Sequence, residues 1–505
     1  TRCPASSSRR AMGMPMMPGM GQMGVPMPQN GNGMSPGMVQ APPLPPSYSR
    51  SDIVEMTNQH ERDTQPLRDR MIADYDRYRL TSHVNRDRAT GAALANYAVY
   101  TTNAPKVFAD KVTSWLTMAE MLGRVPHVEV EGHTEEADNL KEQFAIGNLR
   151  ANDERLRRML QPSLRGSQSF FVTVRGGYVG GRAMLVKNPR TGETYASITA
   201  WDPMHTHWGL GPDGLEWACY KTKMTRAEIA QQYGVEAGGN GLFSRIGDFL
   251  RGSTNAEREG VWTYDFYDGR INTIVTDSEV LKPPTPHGSP RVPVYLTLVG
   301  PMPQLQSAGA SNLSADVGES VYAGVREVWD KKNDLMSIFQ EIVERARRQT
   351  TVFESHDGTQ TPDEDPFINP TSLATRTGDR IYTLELQRMA QETMAYLTAI
   401  FGEEQRATLP YSAYGETPFQ LSGYAINQLA KAILSVLSSR LEALETMNTQ
   451  IVNLLYDQFM TNAFDGMRLS GMGKNRKYFN QMITPEAMQN TCDYTVTLVS
   501  QLPQD

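Results

Sequence analysis

Apolar residues recur at helical spacing along two stretches that flank a turn-rich insert, and the chain is organised around this pair. In the first, Val325, Val328, Leu335, Phe339, Ile342 and Ala346 share one face from Val321 onward, with Lys332 breaking the row. The second carries Leu386, Met389, Thr393, Leu397 and Ile400 on one face and ends near Phe401. Between them stand Asp357-Gly358, Thr361-Pro362-Asp363-Glu364-Asp365-Pro366 and Thr377-Gly378-Asp379. These turn residues flank two short β-like runs, Thr351 to Glu354 and Arg380 to Leu384. Each helix has one narrow seam and is otherwise polar, so the two alone cannot fill a globular core. The seams call for a neighbour, and the expected neighbour is another copy of the chain.

Upstream the pattern is mixed. Pro66 suits the first turn of a helix bearing Leu67, Met71, Asp74, Tyr75 and Tyr78. Asn103-Ala104-Pro105 precedes another, with Val107, Phe108, Val112, Trp115 and Leu116 on its face. A short strand at His127 to Val130 and helices at Glu135 to Asn148 and Asp153 to Leu160 follow. From Phe170 the period drops to two: Phe170 to Val174, Gly181 to Val186 and Thr194 to Trp201 read as strands. His205 to Trp208 pairs with Trp217 to Lys221 around Gly211-Pro212-Asp213-Gly214. Thr225 and Glu228 form a capping box for a short helix to Tyr233. Val235 to Gly260 is Gly-rich and loose. Val261 to Tyr267 and Ile271 to Thr276 make a hairpin over Asp268-Gly269, and Pro283 to Pro303 is an extended, proline-laced stretch. Beyond the helical pair, Pro410, Gly415, Pro418 and Gly423 break any helix between Glu403 and Ser422. One long helix then spans Tyr424 to about Met460, and Asp493 to Ser500 returns to strand. The fold class is α+β.

Composition narrows the function classes. The 505 residues are 39% hydrophobic and 21% charged, with net charge -7, which does not suit a chain whose bulk surface seeks nucleic acid. Cys3, Cys219 and Cys492 lie far apart, against a zinc or disulfide framework and for a reducing compartment. There is no apolar run of eighteen residues, so no membrane partner is expected. Residues 1 to 50 are rich in Met, Pro and Gly and read as a disordered tail; copper(I) binding by thioethers is the weaker alternative.

Candidate chemistry is sparse. No phosphate-binding GxxxxGK[ST] motif occurs, and no GxSxG. Gly176-Gly177-Tyr178-Val179-Gly180-Gly181 lies between two expected strands and reads as a hairpin turn rather than a phosphate loop. His205 and His207 would share one strand face, a candidate metal pair without an identifiable third ligand. Arg345, Arg347 and Arg348 are open to three readings: phosphate contacts, helix-end charge favoured by the dipole, or partners for a neighbour's Glu residues. No cofactor is expected.

The order of parts resembles the portal proteins of tailed bacteriophages. The likeness is carried by Asn103-Ala104-Pro105 and its helix, Trp201-Asp202-Pro203 with the strand pair ending at Lys221, Thr225-Arg226-Ala227-Glu228-Ile229 to Tyr233-Gly234, the helix–insert–helix from Gly318 to Phe401, and Gly423-Tyr424-Ala425-Ile426-Asn427 opening the long helix. It covers about 51 to 505 as an ordered pattern and rests on the succession rather than on one motif. The resemblance implies a wing at 51–320, stem helices at 321–350 and 384–402, a clip at 351–383, and a tunnel loop at 403–423. It further implies a long wing helix at 424–463 and a C-terminal wing segment at 464–505, without the helical crown into which the family usually continues. It implies a non-enzymatic homo-oligomeric ring, typically a dodecamer, at one capsid vertex of the virion, assembled in the host cytoplasm. Double-stranded DNA would pass through the channel during packaging and ejection. Terminase large subunit, major capsid or scaffolding protein and a head-tail adaptor are the implied partners. The implied DNA-channel residues are Arg406, Tyr411, Tyr414 and Phe419, with buried anchoring as the alternative for each ring. Lys331, Lys332, Arg345, Arg347 and Arg348 belong to the stem, and Asp357, Asp363, Glu364 and Asp365 would lie on the docking surface of the clip. The rival classes are a nucleic-acid-processing enzyme and a capsid structural protein without a channel.

Overall fold

The computed structural model describes residues 48–87, 89–94, 98–118, 120–124, 135–233, 260–301, 317–347, 351–354, 380–383, 391–409, 414, 423–461, 463–464, 466–472, 478–488 and 495–499. The chain divides into two units, Thr1–Pro46 and Ser47–Asp505, and the first lies outside the described residues. In the second, α1 (Arg50–Asp63), α2 (Gln65–Tyr78) and α3 (Ala104–Met118) lead to β1 (Glu120–Arg124), α4 (Glu135–Arg158) and α5 (Leu164–Phe170). Then come β2 (Gly177–Lys187), β3 (Thr194–Trp201), β4 (Thr206–Gly211), β5 (Gly214–Met224), α6 (Arg226–Tyr233), β6 (Val261–Asp268), β7 (Ile271–Thr276), β8 (Val280–Pro286) and β9 (Val294–Val299). The helical pair is α7 (Arg326–Arg347) and α8 (Gln391–Ala407), joined through β10 (Thr351–Glu354) and β11 (Arg380–Thr383). The long helix α9 (Gly423–Phe459), β12 (Met467–Met472), β13 (Tyr478–Ile483) and β14 (Thr495–Val499) complete the chain. This is a mixed α+β fold.

Two larger antiparallel sheets, in the orders β3-β2-β9 and β4-β5-β6-β7-β8, form the body. The first faces the main core, where Phe108, Phe144, Val179, Ile198, Leu444, Met447, Ile451 and Phe459 are all buried. Gln458 of α9 finishes the sheet chemistry: its Nε2 donates to Ala183 O at 2.9 Å and its Oε1 accepts from Leu185 N at 2.8 Å. β2 pairs with β9 only as far as Arg182, so the glutamine amide replaces the missing strand. Two turns earlier, Gln450 Oε1 accepts from Leu296 N at 2.9 Å. In the second sheet Ile53 of α1 packs on Trp217, Cys219, Tyr264, Phe266 and Val275. Burial pushes the Cys219 thiol up to about 12, so it is inert. The edge strand β8 carries Pro283, Pro284 and Pro286, which blunts further pairing.

Several sequence readings shift. Phe170 to Val174 is not a strand: α5 runs into a π-helical turn, Phe171–Arg175, closed by Gly176 at φ 62°. Its Val172, Thr173 and Val174 are all buried, so the alternation that suggested a strand reflects burial on every side. The glycines at 176 to 181 therefore join a helical turn to a strand rather than two strands, and Gly180 and Gly181 lie inside β2. A side chain on Gly181 would collide with Thr199 O and the Tyr295 ring. The helices expected at 135–148 and 153–160 are one, α4. The structured body begins before residue 51, since Tyr48 packs edge-on against Phe266 at 5.3 Å and Ser49 caps α1. Helix α8 ends at Ala407, not 402, because no breaker precedes Pro410; Thr408 Oγ1 donates to Glu404 O at 2.7 Å there. The strand expected at 127–130 and the loose stretch at 235–259 lie outside the described residues.

Candidate functional site

The best-built polar assembly lies where α7 leaves the body. Asp74 of α2 is fully buried. It accepts from Arg326 Nε and Nη2, both at 2.8 Å, and from Ser320 Oγ at 2.6 Å. Glu319 accepts from Arg326 Nη2 at 2.8 Å and from Arg70 Nη1 at 2.8 Å. Arg440 of α9 donates to Ser320 O at 2.8 Å, which ties the long helix into the clasp. Burial opposes the charge of Arg326, but its bonds to Asp74 and Glu319 outweigh that and raise its pKa above the ordinary value. Burial lowers the pKa of Arg440, with Glu319 opposing.

One turn along, a second pair locks the two helices together. Lys332 Nζ lies 2.7 Å from Glu404 Oε2 of α8, both side chains nearly buried. Trp329 Nε1 donates to Glu404 Oε1 at 2.9 Å, and the ammonium sits 4.9 Å from the Phe401 ring centroid. The break that Lys332 makes in the apolar row is thus the point of registry between α7 and α8.

A third device runs along α7. Thr102 N donates to Asn333 Oδ1 at 2.9 Å, Tyr100 N to Ser337 Oγ at 2.9 Å, and Ala98 N to Glu341 Oε2 at 3.0 Å. Two residues of extended chain advance about 6.6 Å and four of helix about 6 Å, so alternate backbone N–H groups meet every fourth helical side chain. His83 Nε2 with Asp334 Oδ1 at 2.7 Å and Arg77 with Asp330 at 2.9 Å extend the seam.

Beyond its contact with α8 at Lys332, the other face of α7 has no such cover among the described residues. Ile338, Phe339 and Val343 are 49%, 37% and 49% exposed, and Met394 and Tyr396 of α8 about half. With Leu335 and Ile342 they form a stripe centred about 170° around the helix from Ser337, at 3.6 residues per turn.

The residues singled out from sequence divide accordingly. Lys332 is buried in its ion pair, whereas Lys331 is exposed, 3.9 Å from Glu327. Arg406 is exposed in the last turn of α8, not in a loop. Tyr414 packs against the main core, its anchoring alternative; burial, with Glu404 adding, pushes its phenol up to about 12. Arg345 and Arg347 fall in the last turn of α7 by backbone. The side chains of Arg345 and Arg347, and all of Arg348, Asp357, Asp363, Glu364, Asp365, Tyr411 and Phe419, lie outside the described residues. The His205/His207 face does not form: Asp202 caps a 3-10 turn, Pro203–His205, so β4 begins only at Thr206. His205 packs on Trp262, and His207 meets His60 instead. Among the described residues no group of three or more His, Cys, Asp or Glu is placed to hold a metal, and no helix is long and apolar enough to cross a membrane. The clasp was missed from sequence because Asp74, Arg326 and Arg440 are joined only by the fold; Asp74 on an apolar helix face was the one available signal. No family model and no curated protein matches the chain.

Proposed function

We propose that this protein is a portal-type ring subunit, a non-enzymatic conduit for double-stranded DNA at one capsid vertex. The observation that carries the reading is the helical hairpin. Its root is clasped into the α+β body by Asp74–Arg326 and its two helices are locked together by Lys332–Glu404, while its outer stripe of Ile338, Phe339 and Val343 is left partly exposed by the described residues. A helix so firmly oriented and so apolar on one side is built to meet a neighbour. A repeating neighbour of the same kind, related by rotation, closes a ring. The strand pair β10–β11, with Thr351 opposite Thr383, closes the described part of the hairpin as a clip would. In this reading Arg406 faces DNA, the clip docks terminase and later a head-tail adaptor, and the wing meets capsid or scaffolding protein.

Negative-stain imaging of the purified full chain tests the proposal. Rings with a central hole are expected, most often twelvefold. Solid shells or sheets would favour a capsid protein without a channel. ATP turnover by the pure protein, abolished by one point substitution in it, would favour the nucleic-acid-processing enzyme.

A further inference from the structure

A pair of imidazoles joins α1 to the five-stranded sheet. His60 Nδ1 and His207 Nδ1 lie 3.2 Å apart, with the rings nearly perpendicular. One nitrogen must donate and the other accept. His207 is fully buried, and its Nε2 has no hydrogen-bond partner among the described residues. A proton on that Nε2 would be a buried donor without an acceptor, so the network assigns Nδ1–H to His207 and the accepting lone pair to His60. Both remaining protonation sites are then blocked. A second proton on His207 must sit on the orphaned Nε2, and one on His60 must sit on Nδ1, facing the His207 N–H.

We propose that the His60–His207 pair is an acid-sensitive latch that holds the C-terminal half of α1 on the sheet at neutral pH and releases it on acidification. The surrounding charges reinforce the device. From α2, Arg68 faces both rings, and from β5, Lys221 faces His207; both cations oppose protonation. Glu61 and Asp63 on α1 itself favour it for His60, but Glu61 is held by Arg68 at 2.7 Å and Lys221 at 2.8 Å. His205, from the turn before β4, adds to the opposition, and the buried Tyr178 ring of β2 packs edge-on against His60. Burial is the largest cause, and it pushes His60 down to about 4 and His207 well below its ordinary value. The sign follows: the unfolded chain takes up these protons first, near pH 6.5. The latch is therefore complete above that pH and is lost as pH falls toward 4. Opening would be local, because α2 stays clasped through Asp74 and Arg326. It would widen the cleft of about 520 Å³ between α1 and the sheet, lined by Glu55, Gln59, Trp208 and Trp217.

Hydrogen exchange of the full chain, followed by mass spectrometry from pH 8 to 4.5 and corrected for intrinsic rates, tests this. Peptides covering 50–63 should open up to about a hundredfold more per pH unit below 6.5, tenfold for each histidine protonated on opening, while those of α2 stay protected. The double substitution His60→Phe/His207→Phe replaces both partners by apolar rings and should flatten that slope. Should it not fold, His60→Gln suffices: the amide still accepts from His207, which alone is left to titrate, so the slope should fall to about tenfold per pH unit. A pH-independent α1 in the native chain, or an unchanged slope in the variant that folds, would overturn the latch.

Discussion

The two faces of α7 share one unbroken helix but differ in what satisfies them. One face is completed within the chain. Asp330, Asn333, Asp334, Ser337 and Glu341 each meet a named partner from residues 77 to 102. The opposite face, from Leu335 to Val343, offers only partly exposed hydrocarbon. A polar face binds with direction and fixes where the helix points; an apolar face binds without direction and needs only a complementary surface. Together they describe a helix oriented by its own subunit and, in the proposed ring, covered by another.

This comparison can be broken from either side. The largest effect is expected at the clasp. Asp74→Ala leaves the largely buried Arg326 guanidinium with Glu319 as its one remaining carboxylate and should cost about 3–5 kcal/mol in denaturant unfolding. Glu404→Leu should cost about 3 kcal/mol for the same reason, and adding Lys332→Met should recover most of it, because an apolar pair can replace a buried ionic one. A double-mutant cycle measures this, and no recovery would mean that the pair does more than set register. Asn333→Ala leaves the buried Thr102 N–H without its acceptor and should cost about 2 kcal/mol. Ile338→Asp with Val343→Asp should change the stability of the unassembled subunit by no more than about 0.5 kcal/mol per site, while abolishing assembly.

The secondary structure was largely legible. The hairpin over Asp268-Gly269, the capping box at Thr225 and Glu228, with Thr225 N donating to Glu228 at 2.8 Å, and the long helix all rest on local signals. The failures have a common physical cause. Phe170 to Val174 alternates like a strand because it is enclosed, and a period carries no direction when every side is buried. The clasp, the Lys332–Glu404 pair and the ladder from Ala98 to Thr102 join residues distant in sequence; Asp74 and Lys332 stand out on apolar helix faces, but nothing local names their partners. His207 was visible as a histidine on an aromatic-rich strand, but its partner His60 lies on a helix 147 positions away. Tyr414, among the described residues of its segment, packs against the main core, a placement that the aromatic residue alone did not decide.

The proposed ring needs the stripe of Ile338, Phe339 and Val343 to be covered by another copy of this chain. Light scattering on the purified full chain, beside the Ile338→Asp/Val343→Asp variant, tests it most directly. The expected result is a large closed oligomer for the native chain and a folded monomer for the variant. A native chain that is monomeric at micromolar concentration, or a variant that assembles as the native chain does, would contradict it.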